Sequence, residues 1–267
     1  MAVIPQYAIP AWPFNVIKSH PRLWRLRNTL IVPSVGVASK LFLEYLCKTV
    51  VHNREALLDA VGNRQPGQGL ITVSNHHSCI DDPALNGMLQ WRHLLSPDVM
   101  RWSPAAHDIC FTRPLYGWFF SSGKCVPIVR GEGVYQRAMA FLLERLQLGD
   151  WVHIFPEGRI NIEHAHLRLK WGVGRLVCDC SLCPLVLPFY HLGMDAALPN
   201  RTPYVPRPGQ RVTVLVGRPL ELAAEVAELR RRRATAREAR QTVTDRIQSE
   251  LERLRTRVNV APAGGLP

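Results

Sequence analysis

The alternation of short apolar runs with longer amphipathic stretches is the feature that most restricts the fold of this chain. Four runs rich in β-branched residues, bounded by glycine or proline, have the length of buried strands. They are GLITVSN at 69–75, WVHIFPEG at 151–158, PLVLPFY at 184–190 and RVTVLVG at 211–217. Helical spacing of apolar residues predicts helices between them, at 133–150 and 167–180. This order predicts an α/β fold, with a mostly parallel central sheet flanked by helices.

The length of the chain predicts one domain with appended ends. A chain of 267 residues can bury a full core without dividing into two domains. We predict four parts: a membrane-associated segment at 1–50, the α/β domain at 51–220, a charged helix at 221–258 and a disordered tail at 259–267. The charged helix carries four consecutive arginines at 230–233. It can lie in solvent on one face or contact a membrane, and the sequence leaves both open.

The formal net charge of +12 predicts an anionic partner. Nucleic acid, a phospholipid surface and a phosphate-bearing substrate all have the required charge. We do not expect nucleic acid, because the sequence has no DNA- or RNA-binding motif and no basic run interleaved with aromatics. The seven cysteines lack the spacing of a disulfide framework, and Cys178, Cys180 and Cys183 lack the second half of a zinc site. We therefore expect neither a metal nor a cofactor.

The first fifty residues are poor in acid and contain an apolar run. No acidic residue precedes Glu44, and eleven uncharged residues, TLIVPSVGVAS, occupy 29–39. A helix needs about 20 apolar residues to cross a bilayer, so this run is too short to span one. It can be a core helix or can lie in one leaflet, and we favour the leaflet for 29–50 because aromatic and basic residues flank it. The residues expected at the membrane are Trp24, Arg25, Arg27, Leu30, Ile31 and Val32.

The acid-poor, arginine-containing start also fits mitochondrial import. Prolines at positions 5, 10, 13 and 21 would interrupt an amphipathic targeting helix, so the sequence only suggests this route. A cleaved secretory signal is not expected, because the apolar stretch comes late and lacks a small-residue cleavage pattern.

The stretch VSNHHSCIDDP, at 73–83, places two histidines ahead of two aspartates. In a helix, His77 and Asp81 would share one face as an ordinary surface pair. His76 and Asp81 are five residues apart, so they meet only where the backbone turns. The pairing therefore depends on whether this stretch is a helix or a turn.

The residues after the histidines favour the turn. Asp82 precedes Pro83, and proline suits the first turn of a helix rather than its interior. We predict that Asp82 caps a helix that begins at Pro83, and that 75–81 form the turn at the end of a strand. His76 and Asp81 then face each other.

A histidine held by an aspartate can act as a general base. Asp81 would fix the tautomer of His76 and stabilise its imidazolium, whereas His77 would have no partner. Ser78 does not lie in a G-x-S-x-G nucleophile elbow. We therefore expect direct attack by a substrate hydroxyl, without an acyl-enzyme.

Two further turns carry polar groups suited to a phosphorylated glycerol. FPEG ends a strand and places Glu157, Gly158 and Arg159 at the same edge of the sheet, with backbone amides near Gly158 as candidate oxyanion donors. GKCVPIVRGEG carries Lys124 and Arg130 beside glycines. Each turn taken alone can equally be structural, with a solvated cation. Their recurrence at strand ends predicts a site for a lipid headgroup.

These motifs together resemble the glycerolipid acyltransferases. NHHSCIDD is similar to the N-H-x-S-x-x-D block of that superfamily, and PIVRG, FPEG and PLVLP match its later blocks in the expected order. LITVSNH, MRWSPAAHDICF, GDWVHIFPEGRIN and KWGVGRL resemble more narrowly the tafazzin family within it. The resemblance covers about residues 48–220 and implies a glycerolipid acyltransferase-like fold.

The resemblance also implies an activity and site residues. Tafazzins are understood as coenzyme A-independent phospholipid–lysophospholipid transacylases that remodel cardiolipin in mitochondria. His76 and Asp81 fall on the catalytic positions, and Arg130, Glu157 and Gly158 fall on the substrate-binding blocks. Arg159 stands where most of the superfamily has Thr or Ser, which substitutes a cation for a hydroxyl.

The resemblance thus implies a membrane enzyme with lipid substrates, namely cardiolipin, monolysocardiolipin and phosphatidylcholine. The expected location is a mitochondrial membrane, to which the protein binds peripherally or monotopically, on the side of the intermembrane space. The alternatives are an acyl-CoA-dependent lysophospholipid acyltransferase and a non-catalytic lipid-binding scaffold. The oligomeric state stays open.

Overall fold

The computed structural model describes residues 12–260. Its central sheet has five strands in the order β1-β7-β6-β2-β5, and a second sheet pairs β3 with β4. The strands are β1 Lys48–His52, β2 Leu70–Val73, β3 Ser103–Ala106, β4 Cys125–Ile128, β5 Trp151–Ile154, β6 Leu185–Leu192 and β7 Arg211–Val216. All strand pairs are parallel except β6 with β7. The predicted α/β fold with a mostly parallel sheet is confirmed.

The smaller sheet joins the larger one beside β5. Trp102, just ahead of β3, forms a parallel bridge with Val152. Its amide donates to the carbonyl of Trp151, and its carbonyl accepts from the amide of His153, both at 2.8 Å. The carboxyl ends of β2, β5 and β3 therefore lie at one edge of the combined sheet.

Helices cover both faces of the sheet. They are α1 Asn15–Ser19, α2 Pro21–Leu41, α3 Arg54–Gly62, α4 Asp81–Ala84, α5 Trp91–Leu94, α6 His107–Cys110, α7 Pro114–Ser122, α8 Arg137–Gln147, α9 Gly172–Asp179, α10 Met194–Ala197, α11 Ala223–Arg231 and α12 Ala236–Val260. A π-helical turn at Phe42–Leu46 and a 3₁₀ turn at Leu85–Met88 follow α2 and α4.

The core consists of two apolar layers separated by the sheet. On one face, Ile71 and Val73 of β2 pack with Leu142 of α8 and Ile247 of α12. On the other face, Leu70 packs with side chains of α3 and of the 3₁₀ turn. All of β2 is buried, which explains why its sequence reads as a continuous apolar run rather than an alternating one.

Three of the four predicted strands and both predicted helices are shorter than the sequence predicts, whereas β6 continues to Leu192. β2 ends at Val73 and β5 at Ile154, so 74–75 and 155–158 already belong to loops beyond the sheet. The helix expected at 133–150 spans only Arg137–Gln147. The helix expected at 167–180 begins only at Gly172. Apolar residues continue past β2 because residues 74 and 75 are buried as well, whereas only Leu169 is buried among residues 167–171 ahead of α9.

The charged segment expected to form one helix at 221–258 is two helices. α11 ends at Arg231, α12 begins at Ala236, and Arg233 between them has a φ of +54°. α12 also packs against the sheet, with Val243 and Ile247 fully buried. The helix continues to Val260, so the tail predicted from 259 onward begins in α12, and 261–267 lie outside the described residues.

The N-terminal helix is longer than the uncharged run in it. Pro21–Leu46 forms a helical stretch of 26 residues, which by length and composition alone could cross a membrane. The stretch leads directly into β1, so 29–50 are not one membrane segment. Residues 1–11, which include Pro5 and Pro10, lie outside the described residues.

One face of α2 is buried in the protein, which corrects several of the predicted membrane contacts. Ile31 and Val32 are buried, and Trp24 stacks on Trp102 with 5.9 Å between ring centroids. Lys40 is also buried, and its ammonium donates to the carbonyls of Gly87 and Leu89. The apolar side chains of α2 are therefore divided between two faces. Those on one face pack into the protein core, and those on the other are exposed.

Arg25 and Leu30 are exposed, and Arg27 is half-buried with its guanidinium over the ring of Trp118. These three predicted membrane residues remain accessible at the surface of α2. Their role at a membrane stays a prediction.

The cysteines 178, 180 and 183 lie at and beyond the end of α9. Cys180 is buried, whereas Cys178 and Cys183 are half-buried. Burial raises the pKa of the Cys178 thiol to about 11 and that of Cys180 to about 12. These thiols are therefore protonated near neutral pH, as expected of small apolar residues rather than of thiolate ligands.

Candidate functional site

The structure brings His76 and Asp81 into contact at the carboxyl end of β2. The Nδ1 atom of His76 lies 2.9 Å from Oδ2 of Asp81. The loop turns between them because Asp81 Oδ2 also accepts from the backbone amides of His77 at 2.7 Å and Ser78 at 2.8 Å. The same carboxylate oxygen thus folds the loop and holds the imidazole.

Asp81 is ionised in a fully buried position. Burial raises the pKa of its carboxyl, but His191, the hydrogen bond from His76 and the Ser78 amide outweigh burial and hold that pKa below its usual value. His191 Nε2 lies 3.5 Å from Asp81 Oδ2. Asp81 Oδ1 finds no hydrogen-bond partner among residues 12–260.

Asp82 is not the helix cap that the sequence predicts. α4 begins at Asp81, two residues before the predicted start at Pro83, and its N-terminus has no side-chain cap. Asp82 Oδ1 instead accepts from the Ser103 hydroxyl at 2.7 Å and pairs with Arg101 at 3.2 Å. Ser103 and Arg101 thus bind the carboxylate that was expected to cap the helix. Both residues lie outside the local sequence pattern around Asp82.

His77 does have partners, contrary to the prediction. Its ring is buried and stacks on that of His164, with 3.8 Å between centroids. Its Nδ1 lies 3.1 Å from the Asn75 amide nitrogen. Burial lowers the pKa of His77 to about 3, and His191 and His164 contribute to that shift. His77 is therefore a neutral, buried side chain that packs against His164.

Two asparagines that the sequence analysis missed anchor the loop. The Asn75 side chain accepts from the backbone amide of His191 and donates to its carbonyl, both at 2.9 Å. The Asn200 side chain donates to the His77 carbonyl at 2.6 Å and accepts from the Cys79 amide at 3.0 Å. The quoted motif contains Asn75, but no local signal connects it to partners so far along the chain.

Glu157 holds the backbone of His76 rather than pointing freely into a binding cleft. Its Oε1 accepts from the His76 amide at 3.0 Å, and the backbone amide of Asn161 donates to the His76 carbonyl at 2.6 Å. Burial raises the pKa of Glu157, and the bond from His76 opposes the rise. Glu157 Oε2 has no hydrogen-bond partner within the described part of the chain. Oε1 thus supports the loop, whereas Oε2 has no hydrogen bond that would fix the loop.

Gly158 and Arg159 follow at the same sheet edge. Gly158 has a φ of +72°, which favours glycine, and its amide donates to the Phe155 carbonyl at 3.1 Å. The Gly158 amide itself is therefore occupied, and a role for other backbone amides of this turn as oxyanion donors stays a prediction. Arg159 is exposed.

Lys124 and Arg130 differ sharply in accessibility. Lys124 is buried, its ammonium donates to the Met100 carbonyl at 2.8 Å, and burial lowers its pKa to about 8. It supports the core beside Trp102 and is not available to a substrate phosphate, which corrects the prediction. Arg130 is exposed beyond β4 and pairs with Asp108.

The arrangement around His76 has the properties of a general base. Asp81 Oδ2 accepts a hydrogen bond from His76 Nδ1–H, which keeps the proton on Nδ1 and leaves Nε2 as the basic nitrogen. His76 Nε2 makes no hydrogen bond to any residue that the structure describes, and the side chain is 18% exposed. The ring stacks on Phe155 with 4.1 Å between centroids. The imidazole is therefore held by Asp81 at Nδ1 and by Phe155 on one ring face, and it is open at the nitrogen that would take a proton.

Comparison with known proteins places the chain in a family. The acyltransferase family model matches residues 48–191. Tafazzin of Drosophila melanogaster is 44% identical over 91% of this chain and 65% of its own length. An N-acylphosphatidylethanolamine synthase of Arabidopsis thaliana is 41% identical over 73% of this chain and 70% of its own. Taffazin of Dictyostelium discoideum is 41% identical over 68% of this chain and 66% of its own.

A solved structure supports the fold independently. The 1-acyl-sn-glycerophosphate acyltransferase PlsC of Thermotoga maritima superposes with a TM-score of 0.59 at 18% identity, covering 92% of this chain and 94% of that one. The chain spans somewhat less than two thirds of the Drosophila relative. The family match covers more than half of this chain, and the relatives agree with it. The resemblance read from the sequence is thus confirmed: the chain belongs to the acyltransferase family and is a relative of the tafazzins.

Proposed function

We propose that this chain moves a fatty acyl group from a phospholipid to a lysophospholipid without coenzyme A. The observation that carries the proposal is the 2.9 Å contact between His76 Nδ1 and Asp81 Oδ2, which leaves Nε2 as the accessible base. Nε2 takes the proton of the acceptor hydroxyl while that oxygen attacks the ester carbonyl of the donor. The tetrahedral intermediate then expels the donor's glycerol oxygen, which receives the proton back from His76. One ester is exchanged for another, so the reaction is reversible.

The surroundings of His76 support direct transfer rather than an acyl-enzyme. The Ser78 hydroxyl donates to the Leu198 carbonyl at 2.8 Å, which occupies its proton on a backbone group. Cys79 lies at the surface, but partial desolvation of its thiol raises its pKa and disfavours the thiolate. The substrate hydroxyl is then the nucleophile.

The proposed substrates are cardiolipin, monolysocardiolipin and phosphatidylcholine. The exposed Arg159 beside Glu157, and Arg130 at the end of β4, provide cations for lipid phosphates. Glu157 and Gly158 would act indirectly: Glu157 holds the backbone of His76, and Gly158 allows the turn that places Glu157 there. A net charge of +12 favours an anionic membrane surface.

The proposed location is a mitochondrial membrane, on the side of the intermembrane space. Residues 1–50 would supply the membrane-associated part, 51–220 the catalytic domain and 221–258 a helical support. Binding would be peripheral or monotopic, because α2 shares one face with the core.

Two rival activities use the same base. The first is the acyl-CoA-dependent lysophospholipid acyltransferase that the sequence left as an alternative, because the same base would activate the same acceptor hydroxyl. The Arabidopsis relative is described as an N-acylphosphatidylethanolamine synthase, so an amine acceptor is a second alternative. The three readings differ in donor or acceptor and are separable in one assay.

The test uses the purified full chain with vesicles that contain labelled phosphatidylcholine and monolysocardiolipin. We expect label to move to cardiolipin in the complete absence of coenzyme A, and His76→Ala to abolish the transfer. A parallel reaction supplies acyl-CoA, and another replaces the acceptor with phosphatidylethanolamine. An absolute need for acyl-CoA, or acylation of the ethanolamine nitrogen alone, would overturn the proposal in favour of the corresponding rival.

A further inference from the structure

The segment α6–α7 lies at the same edge of the sheet as His76. β3 ends at Ala106 and α6 begins at the next residue, so α6 leaves the carboxyl end of a strand. The bridge between Trp102 and Val152 sets that strand parallel to β5. Glu157 follows β5 and bonds to His76, so α6–α7 borders the candidate site.

This segment exposes large apolar side chains. Leu115 is 70% exposed and Ile109 is 60% exposed, although soluble surfaces usually carry such residues singly. Tyr116 and Phe119 are exposed as well, and with Leu115 they occupy neighbouring positions on α7. A surface that faces only water has no need of four large apolar side chains so close together, so we expect a partner to cover Ile109, Leu115, Tyr116 and Phe119.

Helix α2 is a direct neighbour of α7 and extends this surface. The Asn28 side chain donates to the Ser122 carbonyl at 3.0 Å, and the Arg27 guanidinium lies 6.0 Å from the centroid of the Trp118 ring. The face of α2 that lies opposite its buried residues carries exposed leucines at helical spacing. We define the apolar patch as Leu23, Leu26, Leu30, Ile109, Leu115, Tyr116 and Phe119.

The charges around the apolar patch are almost all positive. Arg22, Arg25 and Arg113 are exposed on α2 and at the start of α7. Residues 12–43 contain no acid, and 107–123 contain only Asp108, which pairs with Arg130. An apolar surface rimmed by cations is complementary to an anionic lipid bilayer, with leucine and aromatic side chains below the headgroups and arginines among them.

We propose that the apolar patch inserts into one leaflet of an anionic phospholipid bilayer, and that α7 is a second membrane-contacting helix beside α2. α2 also packs against α4, which begins at Asp81. Insertion would therefore hold the His76 loop against the lipid surface from two sides. The purpose of this arrangement rests on the proposed function, but the insertion itself does not.

The first test measures binding to vesicles by flotation. The full chain is compared with the double variant Leu115→Glu/Phe119→Glu, using vesicles of phosphatidylcholine with phosphatidylglycerol. We expect the double variant to bind at least about tenfold more weakly, because two apolar side chains leave the leaflet and two anions approach it. Leu148→Glu is the matched control, because Leu148 is 61% exposed but precedes the amino end of β5, at the opposite edge of the sheet.

Three outcomes would overturn the proposal. The double variant could bind as tightly as the parent chain, or Leu148→Glu could weaken binding equally. The parent chain could also be a dimer in solution that the double variant dissociates, in which case the apolar patch covers a second copy of the chain. Circular dichroism and thermal unfolding of each variant keep loss of binding distinct from loss of fold.

The second test separates this proposal from the proposed function. Acyl transfer is measured once with lipids in vesicles and once with short-chain lipids dissolved below their micelle concentration. We expect the double variant to lose activity at least about tenfold on vesicles and to keep it on dissolved lipids. Equal loss on both substrates would overturn the membrane role of the apolar patch. If the parent chain transfers no acyl group under either condition, the proposed function fails while the flotation result still decides the insertion.

Discussion

The most consequential residue is His76, and its assignment makes a kinetic prediction. We expect His76→Ala to lower acyl transfer by about 10² to 10⁴-fold, the usual contribution of a general base. Asp81→Asn should cause a comparable loss because it removes the carboxylate that sets the tautomer. The measurement is the initial rate of transfer per folded protein.

Asp81→Asn is a better test than Asp81→Ala. The carboxylate accepts from the amides of His77 and Ser78, so alanine would also release the loop. The asparagine oxygen can still accept these bonds. Full activity of Asp81→Asn in a normally folded protein would remove Asp81 from the mechanism.

His77 allows a second prediction, which now differs from the sequence-based one. The sequence predicts that His77→Gln is mild, because it gives this histidine no partner. The structure buries the ring against His164. We therefore expect the substitution to lower the free energy of unfolding by about 1–3 kcal/mol, since a buried polar group loses its packing and hydrogen bond.

Urea unfolding measures this loss, and activity per folded molecule provides the contrast. Activity should fall far less than in His76→Ala. If stability were unchanged and activity fell as far as in His76→Ala, His77 rather than His76 would be the base.

The residues of the site were only partly readable in the sequence. The His76–Asp81 pairing was predicted from Pro83, whereas in the structure the loop turns because the Asp81 carboxylate accepts from the His77 and Ser78 amides. The anchoring roles of Asn75 and Asn200 were missed because their hydrogen-bond partners are distant along the chain. The burial of Lys124 was missed for a similar reason, since only the packed core shows where its side chain goes.

At the level of elements, Gly174 makes a prediction about how α9 meets α12. A methyl group at Gly174 would lie 2.5 Å from Thr244 Oγ1 and closer still to the Arg240 carbonyl. We expect Gly174→Ala to destabilise the protein by about 1–3 kcal/mol through overpacking, despite the better helix propensity of alanine. Thermal or urea unfolding measures this.

The matched control is Gly62→Ala, also at a helical position. No atom lies within 4 Å of the added methyl group there. We expect a change within about 1 kcal/mol, in the stabilising direction. Equal destabilisation by both substitutions would refute close packing between α9 and α12.

Element types were easier to predict than element ends. The four strands expected from apolar runs all form, because their β-branched side chains are buried on both faces of the sheet. In α2, a run whose composition predicts a membrane segment has 33% of its apolar window buried in the protein core. Periodicity detects an apolar face but does not say whether protein or lipid covers it.

For the whole molecule, buried histidines predict a loss of stability in acid. Burial lowers the pKa of His77 to about 3 and holds those of His153 and His191 below the ordinary value of 6.5. The unfolded chain then binds more protons than the folded one below about pH 6.5. Stability is fully present above that pH and falls as the pH drops, by up to about 1.4 kcal/mol per pH unit for each histidine.

Urea unfolding at pH 7.5, 6.5 and 5.5 tests this dependence. His77→Gln should reduce the slope by one histidine's share, whereas His166→Gln should not, because His166 is exposed. The pKa of Glu157 is raised in the folded protein, so the folded chain binds this proton at a higher pH than the unfolded chain does. This opposes part of the loss of stability at the lowest pH values. A flat profile between pH 7.5 and 5.5 would contradict the prediction.

The first strand of the sheet is synthesised early but acquires its neighbour late. β1 pairs with β7, with Lys48 opposite Arg211, so nearly the whole domain separates the two partners along the chain. Such distant contacts form slowly, because the entropy of closing the loop is lost before pairing compensates for it. On the ribosome, the apolar helix α2 and the open edge of β1 would emerge well before β7 exists. A chaperone or a lipid surface is then needed to protect them, and a chain that stops before Arg211 should aggregate rather than form a smaller stable protein.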